Sequence, residues 1–155
     1  MESRKSGYLM LERYFIWCRG LGDEVLRHQI TKPLGHTKAE TGLDVVEYKV
    51  AGLIGHWIAS LCPVIEGWEE LKLFDEAVSE LLDEGAAKGF RDRLFAFRNG
   101  VLHFQRRADD GRFAEFMDTT GEAQAWALRL DRAFEAFFSD MAESHYTKLN
   151  EWLTR

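Results

Sequence analysis

The segment Leu94–Gln105 sets three strong hydrogen-bonding side chains into an otherwise apolar run. They are Arg98, Asn99 and His103. Apolar runs usually lie in the interior of a protein, where a cation needs a partner. On a continuous helix Asn99 and His103 share a face because they are four residues apart, and the long side chain of Arg98 reaches toward the same surface. The three groups therefore form either a structural network or a reactive site.

An Arg, an Asn and a His together suit the cleavage of RNA without a metal ion. The 2'-hydroxyl of RNA is already the nucleophile, so the site has to provide a proton carrier, and an imidazole changes charge near neutral pH. A guanidinium offers a planar fork of donors to the charge that builds up on the phosphate oxygens, and an amide orients either partner. A single His103 does not easily act as both base and acid, and a two-fold dimer would bring a second motif.

The same residues also have a structural interpretation. An Arg-Asn pair can cap a helix or bond nearby carbonyls, and a histidine at the end of an apolar helix is commonly packed and hydrogen-bonded. The Arg-x4-His spacing also arises by chance in many chains. The residue types and their spacing by themselves therefore leave catalysis and a structural network both open.

Charge is distributed unevenly around the motif. The chain has a formal net charge of -6, which argues against non-specific binding to nucleic acid. Between Lys88 and Arg112, however, seven basic residues face only three acids. This excess is either a solvated helix face or an RNA-binding surface. On the second interpretation we expect Arg91, Arg106 and Arg107 to contact RNA.

Length and composition indicate one domain over residues 1–155 with a sizeable core, since 46% of the 155 residues are hydrophobic. Two cysteines, Cys18 and Cys62, are too few for a disulfide framework, and free thiols suggest the cytoplasm. Neither they nor the histidines have the spacing of a metal site, so we expect no metal and no cofactor. The longest apolar stretch, Val50–Ile65, is too short to span a bilayer.

Apolar residues recur at the spacing of amphipathic helices, and no segment alternates as a strand does. A first helix should extend toward His28, although Gly20 and Gly22 weaken that extension. Residues 30–43 indicate a loop. A second helix should run from about Asp44 to Leu71, and Pro63 should kink it or split it in two.

A short helix is expected at Asp75–Asp83 with Gly85 as its stop, and the motif helix should begin near Ala87 and fray around His103–Gln105. A small helix with Phe113 and Phe116 follows. Thr120 can cap the last helix. The predicted fold is therefore all-α, an antiparallel bundle of four to five helices.

The segment Phe97-Arg98-Asn99-Gly100-Val101-Leu102-His103-Phe104 resembles the HEPN superfamily, whose signature is Arg-x4–6-His with a polar residue often directly after the Arg. The upstream segment Cys62-Pro63-Val64-Ile65-Glu66-Gly67-Trp68, on the preceding long helix, is compatible with that resemblance. The resemblance implies a dimeric helical bundle that brings two motifs together in a cleft. Many such proteins are metal-independent endoribonucleases, often toxins of toxin–antitoxin or phage-defence systems.

Carried over from the resemblance, His103 would be the acid/base, Arg98 the phosphate ligand and Asn99 the orienting group. Glu66 would be the acidic residue that some members use on the preceding helix, and its ordinary alternative is a surface carboxylate paired with a nearby Lys or Arg. Relatives controlled by a nucleotidyltransferase antitoxin can carry Tyr two residues after the His. This chain has Gln105 there, so inactivation by modifying that Tyr does not apply.

Three hypotheses follow from the sequence. The first is a homodimeric, metal-independent endoribonuclease that has RNA as its substrate and an antitoxin or a nucleotidyltransferase as a partner. The second is a non-catalytic HEPN-like module that binds RNA, a nucleotide or a protein. The third is a structural dimer in which Arg98 and His103 are locked in a buried network.

Overall fold

A computed structural model describes residues 2–30, 45–103, 115–116 and 120–153 of the chain. Side chains are described for residues 6–25 and 27 of the first helix, from residue 52 in the second and up to residue 139 in the last. All regular structure in these ranges is helical, which confirms the all-α prediction. The helices are α1 (Glu2–Ile30), α2 (Val45–Ala59), α3 (Leu61–Glu70), α4 (Glu76–Ala87), α5 (Phe90–Leu102) and α6 (Glu122–Leu153).

Pro63 splits the long helix that was predicted between residues 44 and 71. α2 ends at Ala59, and α3 begins at Leu61, two residues before the proline. Pro63 therefore lies in the first turn of α3, where backbone N–H groups have no acceptor within the helix, so its missing N–H leaves no helical bond unmade. The hydroxyl of Ser60, between the two helices, donates to the backbone oxygen of Trp57 at 2.6 Å.

Two predicted helix boundaries in this region are wrong. α4 does not stop at Gly85 but continues to Ala87, and Gly85 is buried inside it. The reason is packing, because a Cβ at Gly85 would lie 2.4 Å from Cζ2 of Trp126 in α6. The motif helix begins at Phe90 rather than near Ala87, since Gly89 adopts a left-handed conformation with a φ of 68° that interrupts the helical path.

The expected helix ends are otherwise observed where the structure describes them. Asp75 caps α4 by accepting a hydrogen bond from the backbone N–H of Val78 at 3.0 Å. The hydroxyl of Thr120 accepts from the backbone N–H of Glu122 at 3.4 Å, as its predicted role in capping the last helix requires. α1 continues through Gly20 and Gly22 to Ile30. The predicted loop beyond Ile30, and Phe113 of the small helix, lie outside the described residues.

One core joins the helices. α1 packs on α2 and α3, α2 packs on α5, and α4 packs on α5 and α6. In the described part of α6 the buried apolar residues recur at helical spacing, and Phe116 is buried with them; they are Ala123, Trp126, Ala127, Leu130, Phe134 and Phe138. The largest side chains that lie fully inside include Trp126, Phe97, Phe116, Phe134, Leu61, Ile65, Leu94 and Leu130. None of the helices in the described ranges combines the length and the apolar character needed to cross a bilayer.

Candidate functional site

α5 places the motif at the edge of the core. Phe90, Leu94 and Phe97 are buried at four- and three-residue spacing, so they form the inner face of this helix. Arg98 follows the last of them and is only partly buried, with 26% of its side chain exposed. The core-facing residues thus fix the direction of the helix, and the motif residues emerge where that face meets the surface.

The end of α5 sets the position of His103. The backbone N–H of His103 donates to the oxygen of Asn99 at 3.2 Å, which closes the last turn. At His103 the backbone becomes extended, with φ −115° and ψ 140°, and the side chain is exposed. The helix therefore ends where the sequence indicated, although Phe104 and Gln105 lie outside the described residues. His103 is exposed within one chain, so the buried network of the third hypothesis would have to form between two copies.

Arg98 is held by two contacts. Its Nη1 lies 2.9 Å from Oε1 of Glu66, which is 50% exposed on α3. Its guanidinium also lies over the ring of Phe95, 5.1 Å from the centroid. A charge-assisted hydrogen bond and a cation–π contact together restrict a side chain that would otherwise be flexible. The structure thus brings Glu66 and Arg98 together across 32 residues of sequence, in the pairing that was the ordinary alternative for Glu66.

A second pair runs parallel to the first. Nη2 of Arg91 lies 2.6 Å from Oε2 of Glu69, and its guanidinium lies 5.3 Å from the centroid of the same Phe95 ring. Phe95 is therefore between two guanidiniums on α5, and each guanidinium is bound to a carboxylate on α3. We call Arg91, Phe95, Arg98, Glu66 and Glu69 the arginine–glutamate ladder.

The arginine–glutamate ladder lowers the net positive charge expected around the segment Lys88–Arg112. Two of its cations are matched by carboxylates that come from another part of the chain, so the local excess of positive charge is smaller than the sequence indicates. Arg91 remains a predicted RNA contact, but RNA would have to compete with Glu69 for it or use its remaining donors. Arg106 and Arg107, the other two predicted contacts, lie outside the described residues.

Sequence reasoning missed Phe95 and Glu69 as parts of the site. A signal for Phe95 was present, because it lies four residues after Arg91 and three before Arg98, the spacing at which helical side chains touch. Glu69 similarly lies three residues after Glu66. Nothing in the sequence signalled that α3 packs beside α5, so the pairing of Glu69 with Arg91 was not predicted.

A cysteine nucleophile does not belong to this site. Cys62 is buried between the same two helices, and its Sγ lies 3.8 Å from the backbone oxygen of Leu94. Burial raises the pKa of this thiol to about 12, so it stays protonated and unreactive at neutral pH. Among the residues whose positions are described, no group of three or more His, Cys, Asp or Glu is arranged to hold a metal ion.

A groove of about 280 Å³ opens beside the ladder, between α1 and α3. Met10 and Tyr14 line its α1 side, and Glu66 and Glu70 line its α3 side. Two carboxylates on one wall disfavour a chain of phosphates there.

Comparison of the chain with protein-family models, with curated proteins and with solved structures gives no match. The chemistry of the site therefore rests on the residues themselves and on their geometry.

Proposed function

We propose that this chain is a HEPN-like, homodimeric, metal-independent endoribonuclease of the toxin or phage-defence type. The observation that supports this most is the end of α5, where an exposed imidazole follows a guanidinium that is held at the surface by Glu66 and Phe95. A proton carrier and a preorganised cation are the two groups that transfer of a phosphodiester to a 2'-hydroxyl requires.

In the proposed reaction, His103 accepts the proton of the 2'-hydroxyl as that oxygen attacks the adjacent phosphorus. The bond from phosphorus to the 5'-oxygen breaks, and the partner's His103 donates the proton that the leaving oxygen needs. The products are a 2',3'-cyclic phosphate and a free 5'-hydroxyl. No metal is needed, because both proton transfers are made by imidazoles and the charge on phosphate is met by Arg98 of each protomer.

Glu66 acts in this scheme as a positioning residue. A guanidinium has five N–H donors in a fixed plane, and the hydrogen bond to Glu66 uses one of them at Nη1. The others remain to bind phosphate, while Glu66 and Phe95 limit the rotation of the side chain. Asn99, half-buried one residue further along α5, is assigned the orienting role. An antitoxin or a nucleotidyltransferase as partner belongs to the same proposal and follows from the resemblance.

The test is cleavage of single-stranded RNA by the purified full chain in EDTA. The variant His103→Ala should lose activity by about 100-fold or more, the usual contribution of an acid–base group. His56→Ala is the matched control, because His56 is also an exposed histidine at the surface but lies on α2, where its Nδ1 is 2.8 Å from the oxygen of Gly52. Thermal unfolding should show that both variants remain folded.

Equal cleavage by wild type and His103→Ala would refute the nuclease proposal. Binding of RNA without cleavage would favour a non-catalytic binding module. In either case Arg106→Glu with Arg107→Glu should weaken RNA binding if the basic segment contacts the phosphate backbone. Unchanged binding by that double variant would remove those two residues from the proposal.

A further inference from the structure

Two glycine–leucine contacts shape the groove between α1 and α3. The side chain of Leu71, directly after α3, lies on Gly7 of α1, where a Cβ would be 2.8 Å from its Cδ2. The side chain of Leu11 lies on Gly67 of α3, where a Cβ would be 3.0 Å from its Cδ1. These contacts show that the two helices run antiparallel and approach closely. Between Gly7 and Tyr14 of α1 the groove is about two helical turns long.

The two walls of this groove differ in chemistry. The α1 wall is apolar, because Met10 and Tyr14 line it, each 38% exposed. Trp17 continues the same side of α1 and contacts the ring of Tyr14 edge to face. The α3 wall carries Glu66 and Glu70, about one helical turn apart. Among the described residues that line the groove there is no basic side chain, so it is apolar along one wall and negative along the other.

The carboxylates of the α3 wall have acceptors left for a cation. Glu70 is exposed and forms no ion pair with the residues that the structure describes. Glu66 binds Arg98 through Oε1, and its Oε2 remains as an acceptor. Two carboxylates four residues apart on a helix match two Lys or Arg side chains at the same spacing on a facing helix. The charge of this wall therefore calls for a basic occupant.

An amphipathic helix fits this combination of shape and charge. On α1 and on α3 the lining residues recur at three- and four-residue spacing, so a third helix can lie along both and bury its own apolar stripe between them. Helices that bind in grooves use apolar anchors in this way, with polar residues at the rim. We therefore infer that the α1–α3 groove binds a basic amphipathic helix of another protein, whose apolar stripe packs on the α1 wall and whose Lys or Arg side chains bind Glu66 and Glu70. This inference does not rest on the nuclease proposal.

The same features disfavour two other occupants. An RNA backbone would bring phosphates against the two carboxylates, which repel them. A small polycation would be attracted by the carboxylates but would leave the apolar side chains of the α1 wall in water. Only an occupant that is both apolar and basic satisfies both walls.

The experiment titrates the isotope-labelled full chain with a synthetic peptide and follows the backbone amides by NMR. The probe is an alanine-based helix of about 14 residues, or four turns, with leucines on one side and arginines at four-residue spacing along both flanks of the leucines. Gly7 and Gly67 report on the groove, because both line it and glycine amides resonate apart from the others. Their signals should shift until the groove is saturated, which gives the dissociation constant.

Two variants test the two walls. Glu70→Lys should raise the dissociation constant about fivefold or more, because an attraction becomes a repulsion. Glu80→Lys is its matched control, since it makes the same change of charge at an exposed position of α4 that does not line the groove. Tyr14→Ala should also weaken binding, because it removes part of the apolar wall. Its control is Ile16→Ala, which shortens an α1 side chain that is 60% exposed and lies outside the groove lining.

Exchange of charge on the probe completes the design. A probe with glutamates in place of the arginines should bind Glu70→Lys more tightly than it binds wild type, because the attraction is restored with the opposite sign. Thermal unfolding should show that all variants remain folded.

Three results would overturn the inference. One is a lack of any shift at Gly7 and Gly67 with the probe at millimolar concentration, as expected if another part of this chain or a second copy covers the groove. Another is equal binding of the probe by wild type and Glu70→Lys. The third is an equal effect of spermidine, or of a probe whose leucines are replaced by alanine, since the groove would then be a site for polycations only. RNA cleavage is not a readout here, so the outcome is separate from that of the His103 variants.

Discussion

Replacement of Gly85 by alanine tests the closest contact between α4 and α6. The added Cβ would lie 2.4 Å from Cζ2, 2.7 Å from Cε2 and 3.0 Å from Nε1 of Trp126. Carbon atoms in good contact are about 3.5–4.0 Å apart, so the indole or the helix must move by about 1 Å. Trp126 is fully buried and its Nε1 donates to the backbone oxygen of Leu81 at 2.7 Å, so the ring has little room to move.

The magnitude follows from three contributions. Overpacking of a filled core costs about 1–3 kcal/mol. Loss or weakening of the Trp126–Leu81 hydrogen bond costs about 1 kcal/mol. Alanine is favoured over glycine inside a helix by about 0.5–1 kcal/mol, which offsets part of the cost. The expected net effect of Gly85→Ala is a loss of about 1–3 kcal/mol in the free energy of unfolding.

Gly52→Ala is the matched control. Gly52 also lies inside a helix, but it is exposed, and a Cβ there would meet nothing within 4 Å. This change should therefore stabilise the protein by about 0.5–1 kcal/mol through helix propensity alone. Urea unfolding followed by circular dichroism measures both variants. If Gly85→Ala matched Gly52→Ala in stability, the argument that Trp126 keeps this position free of a side chain would be wrong.

Two ion pairs provide the remaining predictions. Asp131 is 2% exposed and burial raises its pKa, while Nη1 of Arg19 lies 2.8 Å from its Oδ2. Arg19→Met should cost about 3 kcal/mol at pH 7, because it strands a buried carboxylate. This loss should shrink as the pH falls and should disappear below the unfolded pKa of 3.8, where the carboxyl is protonated in both the folded and the unfolded chain. A loss that does not change with pH in urea unfolding would contradict this. Hydrogen bonds from Arg129 and Lys88 lower the pKa of Glu84 from 4.5 to about 2. The stability that Glu84 contributes is therefore present above pH 4.5 and lost as the pH falls toward 2, so Glu84→Gln should melt below wild type at pH 7, and this difference should close on acidification.

Local patterns in the sequence were sufficient for much of the fold. The buried residues of α5 have the spacing of a single helical face, and the proline at position 63 separates two helices as its chemistry requires. The cap at Thr120 is likewise a contact between residues two apart. These features depend on a few neighbouring residues and on the period of the helix, so they can be predicted without knowing where the other helices lie.

The candidate site was predictable only in part. The exposed His103 at the end of α5 and the partly buried Arg98 are where the sequence placed them. From the sequence, Glu66 was either a residue of the site or a surface carboxylate paired with a nearby Lys or Arg. The structure shows that Glu66 is paired with Arg98. The basic character of the segment was overestimated, because Glu66 and Glu69 come from a helix more than twenty residues earlier.

The sequence by itself determined that this chain is helical, which faces of α5 and α6 are buried, and that an Arg, an Asn and a His lie within six residues at one helix end. The tertiary structure decided which carboxylate holds each arginine, why Gly85 lies inside a helix instead of ending one, and which apolar face of α1 is left outside the core. The physical reason is that helix formation depends on interactions within about four residues. The choice of partner depends instead on how whole helices pack, and that choice is set by the summed fit of many side chains.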